Sequence, residues 1–253
     1  MHPNNNYYTH YPNQQHTTTP TTTTPNNTPT QPPTPIPFDQ TQEITIQNYG
    51  YTYIINKICQ QTQLQTCLTT AFGNQQAQNI ITTAAYMIQQ GATIDGIEDW
   101  QQKNHLPNQT KPLTTQTTSK LFTTQTETQR NKFFTQWIKI NLNKTNICYD
   151  VTSVSSYAKE MPSVERGYNR DGENLAQYNL GMFCDETTKT PLYYNRYNGS
   201  LTDKTNLLNV IKNAKAVGID DSKLVIDGGF WSKKCFEGLD DFCSAFTIGM
   251  PLS

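Results

Sequence analysis

Two short apolar runs constrain this chain more than any other feature. They are Asn146–Thr152 (Asn-Ile-Cys-Tyr-Asp-Val-Thr) and Lys223–Phe230 (Lys-Leu-Val-Ile-Asp-Gly-Gly-Phe). Each reads as a buried strand with one carboxylate, Asp150 in the first and Asp227 in the second. Neighbouring strands in a sheet lie about 4.8 Å apart. Two carboxylates that close repel, and one takes up a proton unless a cation sits between them. A divalent cation resolves the conflict, and hard oxygen ligands favour Mg²⁺ or Mn²⁺.

The segments around these runs say how they can become neighbours. After Asn146–Thr152 comes an irregular stretch containing Pro162, Gly167 and Gly172. Leu175–Cys184 alternates as a strand, Asp185–Lys189 is a turn, and Pro191–Tyr197 returns as the second arm of a hairpin. Pro191 belongs on an edge strand, because it has no N–H for a ladder. Thr202 caps a helix through Leu207, Leu208, Ile211 and Ala214, with Asp203 at its positive end. A short helix is expected over Trp231–Leu239 and a last strand over Cys243–Ile248. The order is β-β-β-α-β-α-β, an α+β to α/β arrangement. The helix over 203–216 is a crossover, which sets the fourth strand parallel to the first and brings Asp150 and Asp227 to one end of one sheet.

Residues 47–145 have a different period. Tyr53, Ile54, Ile58 and then Leu64, Leu68, Phe72 recur at helical spacing. Gln75–Gln90 puts Ile80, Ile81, Ala84, Ala85, Met87 and Ile88 on one face, and Gly91 ends it. Thr93–Lys103 is a shorter helix, and Thr126 with Gln129 makes a capping box for a helix through Phe133, Phe134, Trp137 and Ile138. The expectation is an all-helical domain. Lys103, Lys111, Lys120, Arg130 and Lys132 would let it grip DNA, and a packing domain with ordinary surface cations fits equally well.

Residues 1–46 read as a disordered tail. Thr, Pro, Asn and Gln dominate it, and residues 1–38 contain no Lys, Arg, Asp or Glu. A solvated tail is preferred to a glycosylated stalk or a metal-binding use of His2, His10 and His16. The 253-residue chain has a formal net charge of −1, so no global field selects a polyanion. Residues 47–146 nevertheless hold eight Lys/Arg against four acids, and 147–253 hold eleven against fourteen. A basic grip ahead of an acidic, metal-binding domain matches that split, as do two plain solvated surfaces. The six cysteines form no CxxC pair, which argues against structural zinc. Cys148 and Cys184 are expected to be small core hydrophobes. No leader and no membrane span is legible, so a cytoplasmic protein with reduced thiols is expected.

Tyr149-Asp150-Val151-Thr152-Ser153, Gly167-Tyr168-Asn169-Arg170, Gln177–Gly181, Pro191-Leu192 with Tyr197-Asn198-Gly199, and Val225-Ile226-Asp227-Gly228-Gly229-Phe230 together resemble the DDE transposases of bacterial and archaeal insertion sequences. The resemblance covers roughly residues 47–250 and lies in order and spacing, not in any single motif. It implies a ribonuclease-H-like catalytic domain over 146–253, a mixed five-stranded sheet with flanking helices, behind the helical domain at 47–145. It further implies two Mg²⁺ or Mn²⁺ ions held by three carboxylates, of which Asp150 and Asp227 match the first two. Gly228 and Gly229 would let a phosphate approach closely. Double-stranded DNA, as element ends and target, would be the partner, and a homodimer would bridge two ends.

The chain departs from that pattern at the third carboxylate. The family carries it as Tyr-x2-Arg-x3-Glu-x6-Lys on a helix after the last strand. The Tyr-x2-Arg of this domain is Tyr193–Arg196, and Ser200 stands where Glu should be. Glu237, Asp240 and Asp241 follow Asp227 too soon. The sheet domain is therefore expected to be incomplete, and the chain to bind metal weakly and cut DNA slowly. A non-catalytic DNA-binding or regulatory remnant is the alternative. A ribonuclease-H-like nuclease for RNA or hybrids, and a Thr/Pro-rich surface protein, rank below it.

Overall fold

The computed structural model describes residues 45–250 apart from 92, 108, 110, 144–145, 159, 169–171, 173–174, 221–222 and 243–244. Residues 1–44 of the expected tail, Asn169 and Arg170, and Cys243 lie outside the described residues. The sheet is built on β1 (Asn146–Ser155), which lies between β2 (Gln177–Asp185) and β4 (Lys223–Ile226). β3 (Pro191–Asn198) and β5 (Phe246–Ile248) form the two edges, giving the order β3-β2-β1-β4-β5. β1–β2 and β2–β3 are antiparallel, while β1–β4 and β4–β5 are parallel. This mixed α+β sheet has the ribonuclease-H-like connectivity. Pro191 does sit on an edge strand.

Alternation sets the two faces of the sheet. Ile147, Tyr149 and Val151 of β1 are buried with Phe183 of β2 and Leu224 and Ile226 of β4. α7 (Asp203–Ala216) covers that face through Leu207 and Val210, and α8 (Lys233–Phe242) through Leu239. Thr202 caps α7 as its sequence position implies, its Oγ1 accepting from the Thr205 N–H. Cys148, Cys184, Leu180, Met182 and Val225 point the other way and are only partly buried. Cys148 and Cys184 stand directly opposite each other in the β1–β2 register, both as free thiols. They are not core residues, because period two assigns even-numbered β1 and β2 residues to the open face.

Among the described residues six α-helices precede the sheet: α1 (Gly50–Gln61), α2 (Leu64–Phe72), α3 (Asn74–Gln90), α4 (Ile97–Lys103), α5 (Thr115–Thr124) and α6 (Glu127–Asn141). α3 ends at Gly91, in the left-handed region at φ +58°, with its N–H on the Met87 carbonyl. The box at α6 is reciprocal: the Gln129 N–H donates to Thr126 Oγ1 (3.2 Å) and the Thr126 N–H to Gln129 Oε1 (3.1 Å). α5 has a second box, Thr114 with Thr117. α6 carries the connection to the sheet. Phe134 and Ile138 enter the sheet's core, and Trp137 Nε1 donates to the Pro191 carbonyl at 2.7 Å.

Several boundaries differ from the sequence reading. β1 runs to Ser155, because Ser153, Val154 and Ser155 pair with Asn179, Tyr178 and Gln177. β4 stops at Ile226, since Asp227 turns to cap the short 3₁₀ segment Gly228–Phe230. α8 begins at Lys233 and β5 at Phe246.

Asp185 ends β2 and organises the hairpin turn. It is fully buried and accepts from the backbone N–H groups of Thr187 (3.0 Å) and Thr188 (2.8 Å), the Thr188 hydroxyl (3.1 Å) and the Asn143 N–H (3.4 Å). Burial alone would raise its pKa. The Thr188 and then Asn143 donors outweigh that and hold it below the usual carboxylate value. A depressed folded pKa gives stability that is present above the unfolded value and lost as pH falls through the folded one. Asp185→Asn should therefore cost about 1–3 kcal/mol near neutral pH. In urea melts it should also flatten the loss of stability below about pH 4. An unchanged acid limb would show that Asp185 is not the group responsible.

Candidate functional site: the carboxylate pair on the open face

Asp150 lies on the open face of β1, between the buried Tyr149 and Val151. The parallel β1–β4 register ends at Tyr149 opposite Ile226. Asp150 and Asp227 are each the next residue along, so they emerge side by side from adjacent strands at the same end of the sheet. Asp227 is still extended (φ −67°, ψ 155°), so strand alternation carries it past buried Ile226 to the face that bears Asp150. Both carboxylates are exposed. The expected pairing is thus brought together by register.

Local hydrogen bonds fix both side chains. Asp150 Oδ1 accepts from the Val151 N–H at 2.8 Å. Asp227 Oδ1 accepts from the Gly228 N–H at 2.7 Å and Oδ2 from the Gly229 N–H at 3.4 Å. Gly228 has a role the sequence did not reveal. A Cβ there would lie 3.1 Å from the Gly249 carbonyl oxygen, and one on Gly249 would lie 2.9 Å from the Gly228 nitrogen. The two glycines let the Asp227 turn pack against the chain leaving β5. Tyr149, behind Asp150, has its phenol pushed well above the usual value by burial and then by the negative charges of Asp203 and Asp150.

The donor set suits a hard divalent cation. It is all oxygen and exposed to water, and Mg²⁺ commonly takes one or two carboxylates and keeps several waters. Among the described residues no cluster of three or more Asp, Glu, His or Cys could hold a metal. α8, which carries Glu237 and Asp240, packs on the covered face through Leu239 and Cys235. Ser200 is occupied elsewhere, hydrogen-bonded to Glu165. Tyr193 and Arg196 lie on edge strand β3, not on a helix.

The five basic residues singled out for DNA are all exposed. Lys103 ends α4, Lys111 is in the following loop, Lys120 is on α5, and Arg130 and Lys132 are on α6. Arg130 is the one that lines a cleft, of about 760 Å³, where it shares the walls with Arg196, Tyr178 and Tyr194. Those three were not singled out as partners of Arg130. The signal available was alternation, since Tyr194 and Arg196 are two apart on one strand.

No protein-family profile matches the chain, and no curated protein matches it. Among solved structures the chain is weakly similar to two transposase complexes. One is the Mos1 transposase paired-end complex with left transposon end, at 10% identity and a TM-score of 0.28, over 67% of this chain and 57% of that one. The other is the piggyBac transposase synaptic complex with hairpin DNA, at 12% identity and a TM-score of 0.35, over 83% of this chain and 43% of that one. The chain thus spans about half the length of each. No helix among the described residues is long and apolar enough to cross a membrane.

Proposed function

We propose that this chain is a transposase-type protein whose Asp150 and Asp227 hold Mg²⁺ or Mn²⁺ for cleavage and transfer of DNA strands. The observation that carries the reading is the emergence of two exposed carboxylates, side by side, from parallel neighbours β1 and β4. When bound, the ions would neutralise charge on a phosphodiester and ease deprotonation of the attacking hydroxyl. The protein's own work is positional. The Val151 N–H holds Asp150, the Gly228 and Gly229 N–H groups hold Asp227, and the remaining carboxylate lone pairs stay directed to solvent. Lys103, Lys111, Lys120, Arg130 and Lys132 would bind duplex phosphates, with a homodimer bridging two element ends.

The test is nicking of supercoiled plasmid carrying the element ends, in Mn²⁺ and in EDTA. Slow, Mn²⁺-dependent nicking that disappears in Asp150→Asn is expected. A second reading, a non-catalytic DNA-binding regulator, draws on the absence of a third carboxylate near the pair among the described residues. Binding to those ends with no nicking under any metal would decide for it.

Salt dependence tests the grip itself. If all five cationic side chains neutralise phosphates of duplex DNA, log K should fall against log salt with a slope of about −4.5. A slope near zero in a filter-binding titration would remove these residues from the DNA interface.

A further inference from the structure

The open face does not end at the carboxylate pair. In register, Asp150 lies opposite Met182 on β2, which lies opposite Tyr194 on β3. The next row on the same face runs Thr152, Leu180, Arg196. Asp227, Asp150, Met182 and Tyr194 thus cross four adjacent strands. At about 4.8 Å per strand, Tyr194 stands about 14 Å from Asp227. Along one stacked nucleic-acid strand, with a rise of about 3.4 Å, that is about four nucleotides.

At that far edge the surface changes chemistry. The cleft of about 760 Å³ lies between the α5–α6 corner, β3 and the C-terminal end of α7. Arg196 lies over the Tyr178 ring, 5.7 Å from its centroid, so the ring holds its guanidinium by a cation–π contact. Tyr194 is 40% exposed and braced edge-on by Phe134, 5.4 Å away. Arg130 faces them from α6, held by Glu127 at 2.5 Å. Asn195 adds an amide. Two guanidinium groups, two tyrosine rings and an amide match phosphates, base faces and base edges respectively.

We propose that this cleft binds an unpaired strand of nucleic acid, about four nucleotides from the phosphate held at Asp150 and Asp227. Arg196 and Arg130 contact its phosphates, and Tyr194 and the Arg196–Tyr178 stack receive its bases. A duplex offers only base edges to such a surface, whereas a single strand offers the π-faces that tyrosine and guanidinium planes engage. The distance rests on the carboxylate reading above. The cleft's own affinity does not, so it is measured in EDTA.

The experiment is fluorescence anisotropy of the full chain with labelled oligodeoxythymidylate, against a duplex of mixed sequence. Single-strand binding should depend on the cleft, and duplex binding should not. Arg196→Gln and Tyr194→Leu should each weaken it roughly tenfold, in the range for loss of one stacked base. Arg196→Lys, which keeps the charge and loses the plane, should recover only part of the loss. Tyr194→Leu keeps an apolar group against Phe134, and thermal melts at the wild-type temperature would show that the variants fold. Wild-type affinity in both Arg196→Gln and Tyr194→Leu would overturn the proposal. So would a duplex bound as tightly as the single strand and weakened equally by these changes, which would make the cleft a duplex phosphate grip. Loss of Mn²⁺-dependent nicking with the EDTA affinities intact would instead count against the carboxylate reading alone.

Discussion

Asp150→Asn and Asp227→Asn are each expected to weaken Mn²⁺ binding at least tenfold while leaving the fold intact or slightly more stable. Loss of an outer-shell partner alone costs a metal site 10–100-fold (roughly), and loss of a direct ligand should cost no less. The stability half follows from the same geometry. Asp150 and Asp227 leave neighbouring parallel strands on one face, and among the described residues each side chain is held by backbone N–H groups. Like charges about 4 Å apart in water repel by about 1 kcal/mol, and salt reduces that. In EDTA, removing one charge should therefore raise stability by a few tenths of a kcal/mol, with about 1 kcal/mol as the ceiling. Electron paramagnetic resonance of free Mn²⁺ reads the affinity, and urea melts in EDTA read the stability. A metal affinity unchanged in both variants sinks the site. A large loss of stability would show that the carboxylates are structural caps, since each also accepts a local N–H.

The pairing of Asp150 with Asp227 was legible because it needs only two strands, a crossover helix and handedness. Each strand announced itself by a short β-branched or aromatic run, and Thr202 and Asp203 marked the helix start. The capping box at Thr126 was legible for the same reason, being a local pattern with a local consequence. What stayed hidden depends on which face a residue takes. Cys148 and Cys184 read as apolar strand residues, and only the register of β1 against its neighbours sends them to the open face. Gly228 and Gly229 read as a gap for a phosphate. The contact of Gly228 with Gly249 could not be foreseen, because it joins the ends of two parallel strands. The Arg196–Tyr178 stack is a cross-strand pair offset by two residues, which no single strand displays.

Gly199→Ala is expected to cost about 4 kcal/mol or to prevent folding. The irregular segment after β1 returns at Glu165 to pair with Gln177, the two exchanging N–H to carbonyl bonds of 2.9 Å each. The chain leaving β3 crosses that junction at Gly199. A Cβ there would lie 2.1 Å from the Gln177 carbonyl oxygen and 2.7 Å from that of Glu165. Both are backbone atoms in the ladder, so no side-chain rotation relieves the clash. Gly167 meets the same junction from the other side, where a Cβ would fall 1.8 Å from the Gly199 carbonyl oxygen. Two motifs far apart in sequence, around Gly167 and around Tyr197-Asn198-Gly199, are thus one packing unit. Asn198 Nδ2 locks it by donating to Glu165 Oε1 at 2.8 Å. Gly50→Ala supplies the control, because nothing lies within 4 Å of a Cβ there and the residue is the first of α1. That change should be neutral or stabilise by up to about 1 kcal/mol. Urea melts of both variants decide the matter. Gly199→Ala within about 0.5 kcal/mol of wild type, the range of an ordinary surface change, would mean that the Glu165 segment does not dock on β2. The end of the sheet beyond Asp150 would then lack the brace that this junction gives it.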